Sequence, residues 1–422
     1  MNRQSSSGFS LLELMIGLTL GLIVLGGVVA MFLTSSATAS NQQRIAQVLE
    51  NGRFGAQILI DELRRTGTQY CSSYTEELPT SGGVNRVRPL IVHAMPKLPE
   101  EEWMHALDGD ASLPTATYLL DPAHFVRGYE CAADGSCTPE LPTEDVHTVP
   151  AIGSAEFSRV PGTDVLTIRY LATDGALVGG SASGSNPIPL KPGTSPGYFD
   201  NMDLALIASC RSAEVVRVKP NGLQLEHVGD DPYNFDATLG SSYAPPDDAR
   251  VFNFSRDFRT VTYYVGLQQD PVNPGAMISS LYRIESGATR GRLEGGVAPE
   301  PQVVVEGVER FDVTFLVVQG DNKTRYLDAG AVNAGVGACA PAVNGVRERK
   351  DGCLWRGVQG ADVSMLVASN DGARGDEAFR YSPDGPDVQH YAATDVMPNG
   401  LRAGKRLRRE FRVFAAFRNL SR

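Results

Sequence analysis

The sequence predicts an α+β protein: a long amino-terminal α-helix, transmembrane then amphipathic, packed on an antiparallel β-sheet head with long loops. Three observations predict it. No charged residue stands between Leu14 and Leu33, and helix-period apolar spacing continues beyond that run. From Val165 onward, short β-branched runs are separated by clusters of Gly, Pro, Asn and Asp. The 44 Gly and 26 Pro among 422 residues imply many turns and argue against a compact helical bundle. With 42% hydrophobic and 21% charged residues, the chain is neither polytopic in a membrane nor wholly disordered. A net charge of −11 argues against binding duplex DNA through bulk charge, which needs clustered excess Lys and Arg.

Within Leu14–Leu33, Thr19 is the one clearly polar residue. About 20 residues rising ~1.5 Å each just cross a ~30 Å hydrocarbon core. A cleaved secretory signal has a shorter apolar core, and a buried helix would not normally sit unflanked at the start. A single-span anchor is the plain reading. Glu13 departs from it, lying between Phe9, Leu11, Leu12 and Leu14, Met15, Ile16. An ionised carboxylate there costs several kcal/mol unless it snorkels, takes a proton or finds a cation. A free α-amino group four residues upstream, made by a cut between Gly8 and Phe9, would be that cation. Gly17 and Gly21 form G-x-x-x-G, read either as a close-approach face between helices or as ordinary membrane-helix glycine.

The segment Gly8-Phe9-Ser10-Leu11-Leu12-Glu13, after a short leader carrying Arg3, resembles the processing site of type IV pilins and type II secretion pseudopilins. The resemblance implies removal of residues 1–8 by a membrane aspartic prepilin peptidase and N-methylation of Phe9. It also implies that Glu13 pairs with the terminal amine of a neighbouring subunit. The leader holds one basic residue, so orientation rests on Arg3 against the distant Arg44.

Beyond the anchor, Ile45, Val48, Leu49, Ala56, Leu59 and Leu63 form one apolar stripe, with Arg44, Glu50, Arg53, Asp61 and Glu62 mostly on other faces. Arg64 and Arg65 suit a last helical turn and Gly67 suits the position after it. One helix of roughly 85 Å over 10–66 is therefore expected, the alternative being a break near Thr34–Ser40. Glu50-Asn51-Gly52-Arg53-Phe54, running on to Asp61–Gly67, is similar to the matching stretch of PilW-type minor pilins. So are Asp203–Cys210, Val304–Val318 (as a helix-to-strand passage), Ala361–Ala368 and Arg406–Asn419. The expected organisation is a leader at 1–8, a helix at 9–66 (anchor 9–33, amphipathic 34–66) and a β-rich head at 67–422.

In the head, 71–150 reads as irregular, with a short helical candidate at 100–107. Strands are expected at Val165–Leu171, Leu204–Ala208, Glu214–Lys219, Leu223–His227, Thr260–Leu267, Leu281–Ile284, Phe311–Val318, Val363–Ala368 and Glu410–Phe417. Gly179–Gly197 and Gly330–Gly345 read as surface insertions. The six cysteines suit disulfides in an oxidising periplasm. Short loops favour Cys131–Cys137 and Cys339–Cys353, which leaves Cys71 with Cys210. Zinc is the alternative, disfavoured because no C-x-x-C or nearby His pair exists.

Catalytic patterns are absent: there is no H-E-x-x-H, Walker-type loop or dinucleotide fingerprint. Gly193-Thr194-Ser195-Pro196-Gly197 fits G-x-S-x-G, but Pro196 lacks the N–H that an oxyanion hole requires. Asp321-Asn322 and Asn370-Asp371-Gly372 read as turns rather than calcium loops. The Arg-rich tail from Arg402 to Arg422 reads in part as a strand with solvated Arg, in preference to a nucleic-acid patch. The expected function is that of a PilW-like minor pilin, not an enzyme, without cofactor or metal. Its partners would be prepilin peptidase, other minor pilins, the major pilin, a possible tip adhesin and inner-membrane lipid. It would sit in the bacterial inner membrane before assembly into the pilus, with roles in twitching motility and cell adhesion. A type II secretion pseudopilin is the alternative, and a membrane-anchored periplasmic hydrolase a more distant one.

Overall fold

A computed structural model describes residues 10–67, 91–92, 125–141, 149–195, 197–210, 212–229, 234, 238–244, 248–271, 275–287, 300–319, 323–335, 353–372, 379–381, 389–391, 396, 401, 404 and 406–417. Helix α1 runs unbroken over Leu11–Arg65. Ser10, in extended backbone, is its N-cap, and Thr66 closes it. Gly67 follows at φ 72°, donating its N–H to the Arg169 carbonyl at 2.9 Å, which turns the chain into the head. The possible break at 34–40 does not occur. There, Thr34 and Thr38 hydroxyls donate to Ala30 and Thr34 carbonyls at 2.9 Å, so the hydroxyls are satisfied by the helix itself.

Two antiparallel sheets build the main core. The first takes β1 (Val126–Cys131), β2 (Cys137–Thr138), β3 (Val165–Leu171) and, further along, the strands numbered below. A separate sheet centres on β4 (Leu204–Ala208), β5 (Ala213–Arg217) and β6 (Arg250–Asn253). The chain then returns through β7 (Phe258–Gln269), β8 (Met277–Gly287) and β9 (Gln302–Glu306), giving the first sheet the order β9-β8-β7-β3-β1-β2. The second main sheet follows as β10 (Val308–Val318), β11 (Thr324–Leu327), β12 (Val358–Gly372) and β13 (Arg406–Ala416), ordered β11-β10-β12-β13. Gly307, at φ 79°, is the single-residue joint between the sheets.

The second half of α1 covers both sheets. Val48, Leu59 and Leu63 are buried with Leu166, Val305, Phe311 and Met365 in one continuous core. Full burial of each such side chain contributes about 1.5–3 kcal/mol. Gly52 and Gly55 are buried on the same face, beneath Phe411 and against Val305. Ile45, expected in the stripe, is 43% exposed, because the head begins to touch the helix only near Val48.

The expected strands all contain β structure, most of them longer than expected. Several were not foreseen. β1 and β2 lie in the stretch read as irregular, and β6, β9 and β11 were missed. Val304–Val318 is strand on both sides of Gly307 rather than helix-to-strand. Its β-branched residues pack on both sheets, which decides the local conformation. Gly179–Gly197 is not a loose insertion: Ala182, Ile188 and Leu190 are buried with Phe199, Ile207, Val216 and Tyr243 in a core of their own. Asn370-Asp371-Gly372 lies within β12 rather than in a turn. The 100–107 candidate and Asp321-Asn322 fall outside the described residues.

Candidate functional site

Ser10 and Glu13 organise the start of α1. The Ser10 hydroxyl accepts the Leu12 N–H at 3.4 Å, and the Ser10 N–H donates to Glu13 Oε2 at 3.2 Å. This reciprocal arrangement is a capping box, which satisfies donors that a helix start otherwise leaves open. The Glu13 carboxylate thus has a partner inside its own chain, a role that the hydrophobic context of the sequence did not reveal. The S-x-x-E spacing carried that signal. Ser10 itself is in extended backbone, at ψ 141°. Gly8 and Phe9 lie outside the described residues.

From Leu11 to Leu33 every residue is exposed, including Leu12, Ile23, Val24, Met31 and Phe32. An apolar helix uncovered on all sides needs lipid or other helices around it. α1 is long and apolar enough to cross a membrane. Thr19, the polar residue in the run, hydrogen-bonds back to the Ile16 carbonyl at 2.9 Å, so its hydroxyl adds little cost there. Gly17 and Gly21 have no atom within 4 Å of a built Cβ, so nothing in the single chain requires glycine at either position.

At its other end α1 is clamped to the head by a polar cluster. Glu62, expected on a solvent face, is part-buried and faces β8. Arg283 donates through Nε to its Oε1 at 3.1 Å and through Nη2 at 3.0 Å. The hydroxyls of Tyr263 and Tyr170 donate to the same carboxylate, and Arg283 also pairs with Glu285. Burial, then the Glu62 charge, pushes both tyrosines above the usual phenol range. Burial alone would lower Arg283, but Glu62 and Glu285 outweigh it and hold the guanidinium charged. The helix pattern missed this because a polar face can be buried when the opposing sheet carries Arg and Tyr.

Cys131 and Cys137 are joined by a disulfide closing the β1–β2 hairpin. At its tip Ser136 donates through hydroxyl and N–H to Asp134, and these two bonds hold that carboxyl below the usual range. Asp164 anchors the hairpin base, accepting the Cys131 N–H at 3.1 Å and the Val313 N–H at 2.9 Å. Cys210 is disulfide-bonded as well. Cys71 and Cys339 lie outside the described residues, and Cys353 opens a 3₁₀ turn over Cys353–Gly357. Among the described residues no cluster of His, Cys, Asp or Glu could hold a metal ion. The tail strand β13 spends much of its charge internally: Arg406 and Arg408 meet buried Glu309, and Arg412 meets Asp362.

Against known proteins, residues 3–29 match the prokaryotic N-terminal methylation motif. That motif indicates a prepilin-peptidase substrate, a pilin or pseudopilin, and together with the exposed apolar helix it fits membrane anchoring. No curated protein and no solved structure matches the chain.

Proposed function

We propose that this chain is a PilW-like minor prepilin that is cut between Gly8 and Phe9, methylated at Phe9 and incorporated into a type IV pilus or its priming tip complex. The observation that carries this reading is the placement of Glu13 at the head of a fully exposed apolar helix inside the methylation motif. The work is assembly rather than catalysis. Before assembly the helix holds the chain in the bacterial inner membrane with the head in the periplasm. In the fibre, apolar helices of several pilins bundle, with Gly17 and Gly21 allowing close approach. Glu13 then neutralises a neighbour's terminal amine. Disulfides Cys71–Cys210 and Cys339–Cys353 close the head beside Cys131–Cys137.

Prepilin peptidase, other minor pilins, the major pilin, a tip adhesin and membrane lipid are the partners in this scheme. The deciding measurement is the mass of the mature amino terminus. The reading expects loss of residues 1–8 and gain of one methyl group on Phe9. Retention of Met1, or trimming at another bond, overturns it. A Gly8→Val chain is expected to remain uncut and to leave the cell without assembled fibres.

A further inference from the structure

We infer that residues 172–257 form an inserted module with a core of its own, which the α1-bearing head does not need in order to fold or to be assembled. The insertion point is a strand pair. β3 and β7 are antiparallel with Leu171 opposite Phe258, and the Ala172 N–H donates to the Asp257 carbonyl at 2.8 Å. The chain therefore leaves and re-enters the head at neighbouring positions, about 5 Å apart. A two-residue hairpin loop would close the same pair. Roughly 85 residues stand in its place, enough to bury a core.

Two separate cores follow the same boundary. The core that α1 enters takes residues up to Tyr170 and again from Val261, with none between them. The module core, around Ile207, Val216, Tyr243 and Val251, is drawn wholly from residues 176–251. Strands divide likewise, since among the described residues no strand between 172 and 257 lies in either main sheet. Buried polar groups are also satisfied within the module. The Glu214 carboxylate accepts the Gly240 and Ser241 N–H groups at 2.8 and 2.9 Å and the Tyr243 hydroxyl at 3.0 Å. Buried Asn234 bonds to both main-chain groups of Arg217. A segment that settles its apolar and polar burial internally is a candidate cooperative unit.

The boundary is crossed where Phe252 and Phe254 pack with Phe125, Leu171 and Phe258, and where Ile91–Val92 runs parallel to β5. None of these residues belongs to the core against which α1 is buried. Opening the module therefore leaves the α1 seam in place.

The first test uses the full chain in detergent and native-state hydrogen exchange read by mass spectrometry. Ile207→Ala leaves a cavity in the module core and should speed exchange of β4, β5 and β6 amides by about tenfold or more. Amides of β10 and β12 should exchange as in the parent. Comparable speeding in β10 and β12 would show one cooperative unit and overturn the inference, as would no change within 172–257.

The second test replaces residues 173–256 by Asn-Gly, with Cys71→Ser because Cys210, its partner in the proposed pairing, leaves with the module. One cooperative unfolding transition and protected β10 and β12 amides are expected, and loss of either overturns the inference. Its assembly part rests on the proposed function. The shortened chain should enter fibres as the parent does. A folded shortened chain that stays out while the parent enters refutes dispensability. If neither enters, the fibre reading fails, and the inference stands or falls on the two folding measurements.

Discussion

Gly52 of α1 lies directly beneath the ring of Phe411 on β13, with no room between them for a methyl group. Two effects then oppose each other in Gly52→Ala. Helix propensity favours alanine by about 1 kcal/mol, whereas overpacking a tight contact costs typically ~1–3 kcal/mol. A Cβ at Gly52 would overlap three atoms of the Phe411 ring, more than a shift of a few tenths of an ångström relieves, so the second effect wins. Thermal unfolding of the detergent-solubilised variant should fall, and adding Phe411→Leu should recover most of the loss. Gly17→Ala should not lower the same measurement, because its surroundings are open in the single chain.

Removing Glu62 leaves Arg283 with Glu285 as its remaining carboxylate and takes the acceptor from two tyrosine hydroxyls at the helix–sheet junction. Loss of one partner of a buried pair costs ~3–5 kcal/mol, and the partial exposure of this one brings the expectation to about 2–3 kcal/mol for Glu62→Ala. A double-mutant cycle with Arg283→Met checks it. Strong coupling is expected, and additivity would show that the clamp contributes nothing.

Asp164 gives the head a pH dependence of definite sign. Burial, and then the neighbouring Asp312 charge, pushes its carboxyl well above the usual range, against the opposing N–H bonds from Val313 and Cys131. The folded chain therefore keeps a proton that the unfolded chain releases near ~4. The stability this contributes is complete below that pH and is lost as pH rises through the folded-state value. Urea unfolding measured upward from pH 4 should show a declining stability. Asp164→Asn should flatten that slope, at the cost of one of the two N–H bonds.

Glu13 combines a cap with a charge, and two substitutions separate them. Gln at the third helical position still completes a capping box, whereas Ala does not. Helix content by circular dichroism should be unchanged in Glu13→Gln and slightly reduced in Glu13→Ala. Fibre incorporation should fall in both. Normal incorporation of Glu13→Gln would show that pairing with an amine is not what the carboxylate is for.

Sequence reasoning captured what is written in local periodicity. The uncharged run and the Val48–Leu63 stripe define α1, and β-branched runs mark β3, β4, β7 and β10. What it missed depends on distant partners. Glu62 reads as a solvent residue until β8 brings Arg283 to it. β9 is short, and its Val303 is exposed, so its alternation gives no clear signal without β8 beside it. The buried core around Ile188 was hidden by its Gly- and Pro-rich sequence, which packs through short strands. Glu13 stood out by its hydrophobic neighbours, and the same residue's local S-x-x-E pattern was legible but overshadowed.

Because α1 is one unbroken rod, the described part of the head stands away from the exposed apolar run. Between Leu33, where the apolar run ends, and Val48, the first buried residue of α1, the helix rises about 22 Å at ~1.5 Å per residue. Axial force applied to the amino-terminal end travels along that rod without a break to absorb it. It arrives as shear on the seam from Val48 to Leu63, along which Gly52, Gly55 and Glu62 also meet the sheets. The mechanical strength of the subunit under traction is thus set by that short seam and not by the size of the domain it carries.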